Sequence, residues 1–399
     1  MTTALQARAD RALGRRLAEI TLGVDALETS AAGAAGVRSE RFVPIFNGAG
    51  LIEPARFASF AEAIAALDAL AAEVAALPEG RRKTFLTAMV RSVRAAARIF
   101  SGESLSLAER LTEHVAVPAG PVPDETIASI HAELDRLMTK RGYVRGALAE
   151  RVERWEAETH VDVADIPRVY DELLATAKAR TDALVFDTGD YTMPLNAQRA
   201  VPYAARCSFD EGHMDINLDV PWSRSGIKHL VCHEVFPGHS TQLLSTRRAV
   251  ETGKSAADAL LCTVNGAPGS VQEGIGDQGI ELIDWVESVD DAAHVQLRRL
   301  QTATGTNAAW HRNVTGWSHE RTVAYFREVG FGSEAWSELR TGRAEDPFDA
   351  PFLASYWFGS EAVRIVRERT PAAARSALLA TLYDELNTPE SLLMFEPQA

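Results

Sequence analysis

The sequence predicts a mainly α protein with one small antiparallel β-sheet. Two observations carry this expectation. Apolar residues recur at helical spacing through most of the chain. A single short segment alternates with a period of two. In the first part of the chain, Phe57, Phe60, Ile64, Leu67, Val74 and Leu77 are spaced by three, four or seven and describe an amphipathic helix facing a core. The clearest neighbouring helices are Ala4–Leu22 and Arg81–Phe100, with another around Leu105–His114. The stretch "VPAGPVPD", Val117–Asp124, carries three prolines and reads as a linker or rigid corner. A long helical pattern follows from Glu125 to about Glu158, with a break expected near Gly142, and another runs from Pro167 to Ala183 with Asp165 as its cap. These features divide the chain into an N-terminal helical region, 1–120, and a helical catalytic region, 121–399. The second region holds the sheet at about 183–220, and the two are expected to form one compact unit.

The strand signal lies in "CSFDEGHMDINLDVPW". Met214, Ile216, Leu218 and Val220 alternate with Asp215, Asn217 and Asp219, placing apolar side chains on one face and polar ones on the other. Asp210-Glu211-Gly212 supplies turn residues, Tyr203–Phe209 is the expected partner strand, and helices resume after Trp222.

Composition narrows the function classes. The 399-residue chain is 46% hydrophobic and 24% charged, as soluble globular proteins are. Its net charge of −14 argues against nucleic-acid partners and anionic membrane surfaces. No apolar run approaches the roughly 20 residues that span a bilayer. The N-terminal stretch lacks the apolar core of a secretory signal and is expected to be the first helix of the mature protein. Three scattered cysteines, Cys207, Cys232 and Cys262, make no disulfide framework, and a cytoplasmic location is expected.

Chemistry concentrates in "KHLVCHEVFPGHSTQ", Lys228–Gln242. His233-Glu234 follows an apolar pair as the His-Glu of a metalloprotease helix does. The next histidine, His239, is six positions on, about 120° around a straight helix, so an unbroken helix cannot aim both imidazoles at one ion. Pro237 must break the helix, because it lacks an N–H and its ring clashes with the His233 carbonyl. Gly238 can take backbone angles denied to other residues, so the Pro-Gly pair can return His239 towards His233. A catalytic zinc site takes a third ligand and keeps an open position. Glu273, on a helix expected within "SVQEGIGDQGIELIDW", is the candidate. His229, one turn before His233, is a competing ligand or a supporting residue.

These residues resemble the HExxPGH motif of the bacterial domain of unknown function 885 family, whose fold is related to gluzincin-type helical zinc carboxypeptidases. Further matches follow in order: "INLDVPW" before the motif, Gln272-Glu273-Gly274, "GWSHERTVAYF" at Gly316–Phe326 and "LASYWFG" at Leu353–Gly359. Together they cover roughly Tyr203–Glu368. Three positions depart from the family pattern. Ser240 replaces a second histidine, Ile275 replaces a tryptophan, and Asn313 stands where a histidine is usual, with His311 two positions out of step. These departures suggest a specialised member whose substrate need not be a peptide.

The resemblance implies a zincin-like helical fold and one Zn2+, or another divalent metal, held by His233, His239 and Glu273. Glu234 would act as the general base for a metal-activated water. Tyr356, in the Ser-Tyr-x-x-Gly match, is the candidate second donor to the oxyanion. The expected function is hydrolysis of an amide bond in a peptide or small molecule. Two alternatives stand beside it: a metal-dependent tailoring step on a small molecule in a biosynthetic pathway, and a non-catalytic helical interaction protein with a vestigial site. The strand Met214–Val220 could pair with an extended substrate as a sheet edge, or be a structural hairpin. Arg364 and Arg367 are weaker candidates for receiving a substrate carboxylate.

Overall fold

The computed structural model describes residues 2–35, 42–201 and 203–397, with the side chains of 2–9 and 31–35 excepted. The fold is mainly α with small sheets, as the periodicity predicts. By internal packing the chain divides into two units, one of residues 1–119, 242–274 and 358–399, the other of 120–241 and 275–357. The first division falls inside the proline-rich stretch. The later ones fall within the helices His239–Glu251, Gly269–Asp277 and Asp349–Arg369, each of which is continuous along the chain.

The first unit is built on the helices Thr2–Ala35, Phe60–Ala75 and Arg81–Phe100. Ser59 caps the second, its Oγ accepting from the Glu62 amide. The predicted apolar stripe of that helix does face a core. Leu67, Leu70 and Val74 are buried against Leu17, Leu86 and Met89, with Phe57, Phe60, Ile64 and Leu77 around them. The segment near Leu105–His114 is a short helix, Leu107–Glu109, that widens into a π-helical turn over Arg110–Val115. Two short strands, Ile45–Phe46 and Leu261–Cys262, pair antiparallel.

In the second unit the long pattern after the prolines forms two helices, Asp124–Arg141 and Leu148–Glu158. The first ends at Gly142, whose φ of 101° is the left-handed conformation that glycine favours. Helix Ile166–Leu184 packs on helix Arg224–Glu234, and Val289–Trp310 packs along Asp124–Arg141. Tyr170, Met193, Met214, Ile216, Val231 and Phe236 share one core.

The three-stranded sheet departs from the sequence expectation in three ways. It is mixed: His213–Asn217 pairs antiparallel with Ala205–Ser208, as predicted, and parallel with Leu195–Gln198 on its other side. That makes His213–Asn217 the central strand, so it offers no free edge for an extended substrate. Its polar face is also buried. Asp215 is 2% exposed and accepts from Asn196, Tyr203 and Arg206. Burial alone would raise this carboxyl, but those bonds hold it below its usual range. Among the described residues no helix is long and apolar enough to cross a membrane.

Candidate metal centre

Helix Arg224–Glu234 starts at Ser223, whose Oγ accepts from the Gly226 amide. Its His229 and His233 are one turn apart and share a face, while Ile227 and Val231 bury the opposite side. The helix stops at Glu234, and a new one starts at His239. Between them the Phe236–Pro237 peptide is cis. The junction is closed by bonds to the carbonyls the first helix leaves unpaired. Thr241 donates to Val235 through its amide and its hydroxyl, and the Ser240 hydroxyl donates to Glu234. Ser240, which stands where the resemblance places a histidine, is therefore a structural clamp, itself met by the Tyr191 hydroxyl at 3.2 Å.

The role of Gly238 differs from the sequence expectation. The glycine is not in a left-handed conformation. It is required by close approach, because a Cβ there would fall 1.6 Å from the His233 carbonyl oxygen. The outcome for the histidines is the one the spacing demands. The rings of His233 and His239 are 4.8 Å apart and nearly perpendicular.

Glu273 lies on helix Gly269–Asp277. The ligand atoms of His229, His233 and Asp277 lie within 4.8 Å of one another. Asp277 is the residue that sequence reasoning missed. It follows Glu273 by four positions, one helical turn, and that spacing is the signal that could have found it. Its Oδ1 is 3.3 Å from His233 Nδ1 and 3.5 Å from His229 Nε2. Burial would raise the carboxyl, but the two imidazoles and Arg298 hold it well below the usual range. A carboxylate at this distance from Nδ1 favours a proton there, which would leave Nε2 of His233 as a lone-pair donor, the arrangement found behind metal-binding histidines. Gly276 makes room for it, since a Cβ at this position would meet the His233 ring at 2.8 Å. Burial lowers His229 to about 4 and lowers His294, whose ring is 5.3 Å away, well below its ordinary value. Both are neutral imidazoles at physiological pH.

His229, His233 and His294 line a cavity of about 500 Å³, together with Glu234 and Tyr356, whereas His239 and Asp277 are not on its wall. The predicted base and the predicted oxyanion donor thus share one cavity with the first histidine of the motif. Other candidates fall elsewhere. His311 stacks on Trp317 at 4.3 Å, and the Asn313 amide donates to Ala309 and Ala344, so neither is on the cavity wall. Arg364 is paired with Glu361 and Glu368 at 2.7 and 2.6 Å, and the carboxylate-receiving role considered for it is already filled from within its own helix. Cys232 is buried in the core, which pushes its thiol up, and its carbonyl packs on Gly279.

Solved structures that resemble this chain include two lipoprotein candidates. One is a lipoprotein candidate from Colwellia psychrerythraea, with a TM-score of 0.59 and 13% identity over 83% of this chain and 65% of that one. The other is a lipoprotein candidate of unknown function from Shewanella oneidensis, with a TM-score of 0.54 and 14% identity over 84% of this chain and 70% of that one. The chain thus spans just under two thirds of the Colwellia protein, and at these identities the likeness is one of fold. No family model matches the chain, and no curated protein matches it.

Proposed function

We propose that this chain is a metal-dependent hydrolase of amide bonds, a specialised relative of the domain of unknown function 885 family. The observation that carries the reading is the helix break at Val235–Gly238, which sets the His233 and His239 rings 4.8 Å apart despite their six-residue spacing. Two imidazoles and the Glu273 carboxylate, with no thiolate among them, are a donor set suited to zinc. An ion held there would supply Lewis acidity and lower the pKa of a bound water from about 15.7 to about 7.

The chain's own residues supply the rest. Asp277 holds His233 in the tautomer that presents Nε2. Glu234 follows that ligand directly and reaches the same cavity, where it takes the proton of the attacking water and passes it to the leaving nitrogen. The Tyr356 hydroxyl donates a hydrogen bond to the developing oxyanion. The substrate is a peptide or a small-molecule amide. The proposed compartment is the cytoplasm, in keeping with three cysteines that form no disulfide.

The test combines metal analysis with one isosteric variant. Purified protein is expected to hold about one equivalent of zinc or a similar ion, and to lose hydrolysis of a peptide and small-amide panel on chelation. Glu234→Gln should lower kcat by roughly 10²–10⁴ with metal content unchanged. Full activity in that variant, or a protein that hydrolyses the panel equally well without metal, would overturn the assignment.

A further inference from the structure

The cavity has a second chemical character that the hydrolytic groups do not use. Arg298, on helix Val289–Trp310, and Arg340 and Arg343, on helix Glu334–Glu345, all line it. Arg298 makes long contacts of 3.4 Å to Asp277 and Gln301, and its Nε is buried without a partner. Arg343 donates to Asp349 at 3.2 Å. Arg340 has less. Its guanidinium lies 5.4 Å from the Trp336 ring, its Nε is buried and unbonded, and no carboxylate pairs with it among the described residues. The two carboxylates on the cavity wall are Glu156 and Glu234. Neither is among the main charges acting on Arg340, which are the repelling Arg343 and Arg298 and the weaker, favourable Tyr356 and Asp277.

Three guanidinium groups lining one cavity, one of them half-buried with no carboxylate paired to it, are unfavourable in the free protein unless something else meets them. Burial first, and repulsion by Arg343 and Arg298 second, lower Arg340 to about 10, so it remains charged at physiological pH. A guanidinium presents two parallel N–H donors, which match the two oxygens of a carboxylate or phosphate. We propose that this wall is an anion subsite, and that the substrate carries a carboxylate or phosphate group received by Arg340 with Arg298 and Arg343. The inference rests on the hydrolase reading only in taking the cavity as the substrate site. It replaces Arg364 and Arg367 as the carboxylate-receiving candidates. It also narrows the substrate to an amide with an anionic group on one side of the scissile bond.

The test measures binding instead of turnover, so it stands apart from the hydrolase assignment. Chelator-treated full-length protein is titrated calorimetrically with N-acetylglycine, with its neutral analogue N-acetylglycinamide, and with inorganic phosphate. At least one of the two anions is expected to bind, and the amide at least about tenfold more weakly. The tighter of the two anions names the group. Arg340→Gln should weaken that anion at least about tenfold, and Arg340→Lys, which keeps the charge but loses the fork, by less. Circular dichroism verifies folding. If Arg340→Gln does not fold, Arg343→Gln carries the test, with a weakening of about threefold or more expected. Absence of binding by both anions, equal binding of acid and amide, or unchanged affinity in the folded variants would overturn the subsite.

Discussion

Two buried polar clusters grow from adjacent residues of one helix, and they differ in how completely they are satisfied. Lys228 is 2% exposed, yet its ammonium is fully met. Asp291 lies at 2.9 Å, Glu287 at 3.1 Å and the Trp285 ring at 4.1 Å, and Ser225 donates to Asp291 from the side. The cluster one residue on, around His229, His233, Asp277, His294 and Arg298, leaves His229 Nδ1, Asp277 Oδ2, His294 Nε2 and Arg298 Nε buried without hydrogen bonds. Buried polar atoms are usually paired, and by that measure the first cluster is closed and the second is not. The same helix thus presents a closed charge pair on one face and the histidine cluster about 100° away.

The largest effect that separates them is on stability. Lys228→Ala strips Asp291 of its buried counter-charge and should destabilise the fold by about 3–5 kcal/mol. The double variant Lys228→Met with Asp291→Leu should recover most of that loss, because an apolar replacement leaves no unpaired charge. Urea unfolding of the three proteins checks it. Comparable stabilities for wild type and Lys228→Ala would show the first cluster to be no more structural than the second.

The next effect falls on the open cluster. Asp277→Asn should weaken metal binding about 10–100-fold, because His233 loses the carboxylate that fixes its tautomer. The chelated variant should lose less stability than Lys228→Ala does. Competition against a chromophoric chelator gives the affinity, and an unchanged constant would remove Asp277 as a positioning residue.

The smallest effect is a pH dependence of the closed pair. Burial would raise Asp291, but Lys228, Ser225 and the Glu287 amide hold its carboxyl below the ordinary value. A depressed carboxyl contributes stability above its unfolded pKa of about 4, and that contribution fades as pH falls through the folded pKa. The stability gap between wild type and Asp291→Asn should therefore narrow from about pH 6 to about pH 3. A constant gap in urea midpoints would mean that Asp291 titrates alike in the folded and unfolded chains.

How far the sequence could be read follows from the range of each interaction. Helix Arg81–Phe100 matches its periodicity end to end, and the break at Gly142 is where a glycine interrupts an otherwise regular pattern. The sheet was legible only as a hairpin. Strand Leu195–Gln198 alternates weakly and joins in parallel, a pairing that no turn signal announces. In the site, His233, Glu234 and His239 were visible because all three belong to one short motif. Arg298 and Arg340 were not, because they stand some 65 and 107 positions after His233 and look like the solvated arginines of any helix. Arg364, by contrast, looked available, and its partners three and four residues away close it off.

By itself the sequence determined the helical class, the position of the helix break and the residue types gathered around it. These follow from local rules: spacing along a helix and the missing N–H of proline. Only the tertiary structure decided that Asp277 stands behind His233, that Tyr356 and Glu234 share a cavity, and that three arginines face it with one lacking a counter-charge. Those are meetings between distant segments, and burial and pairing become defined only once the segments pack.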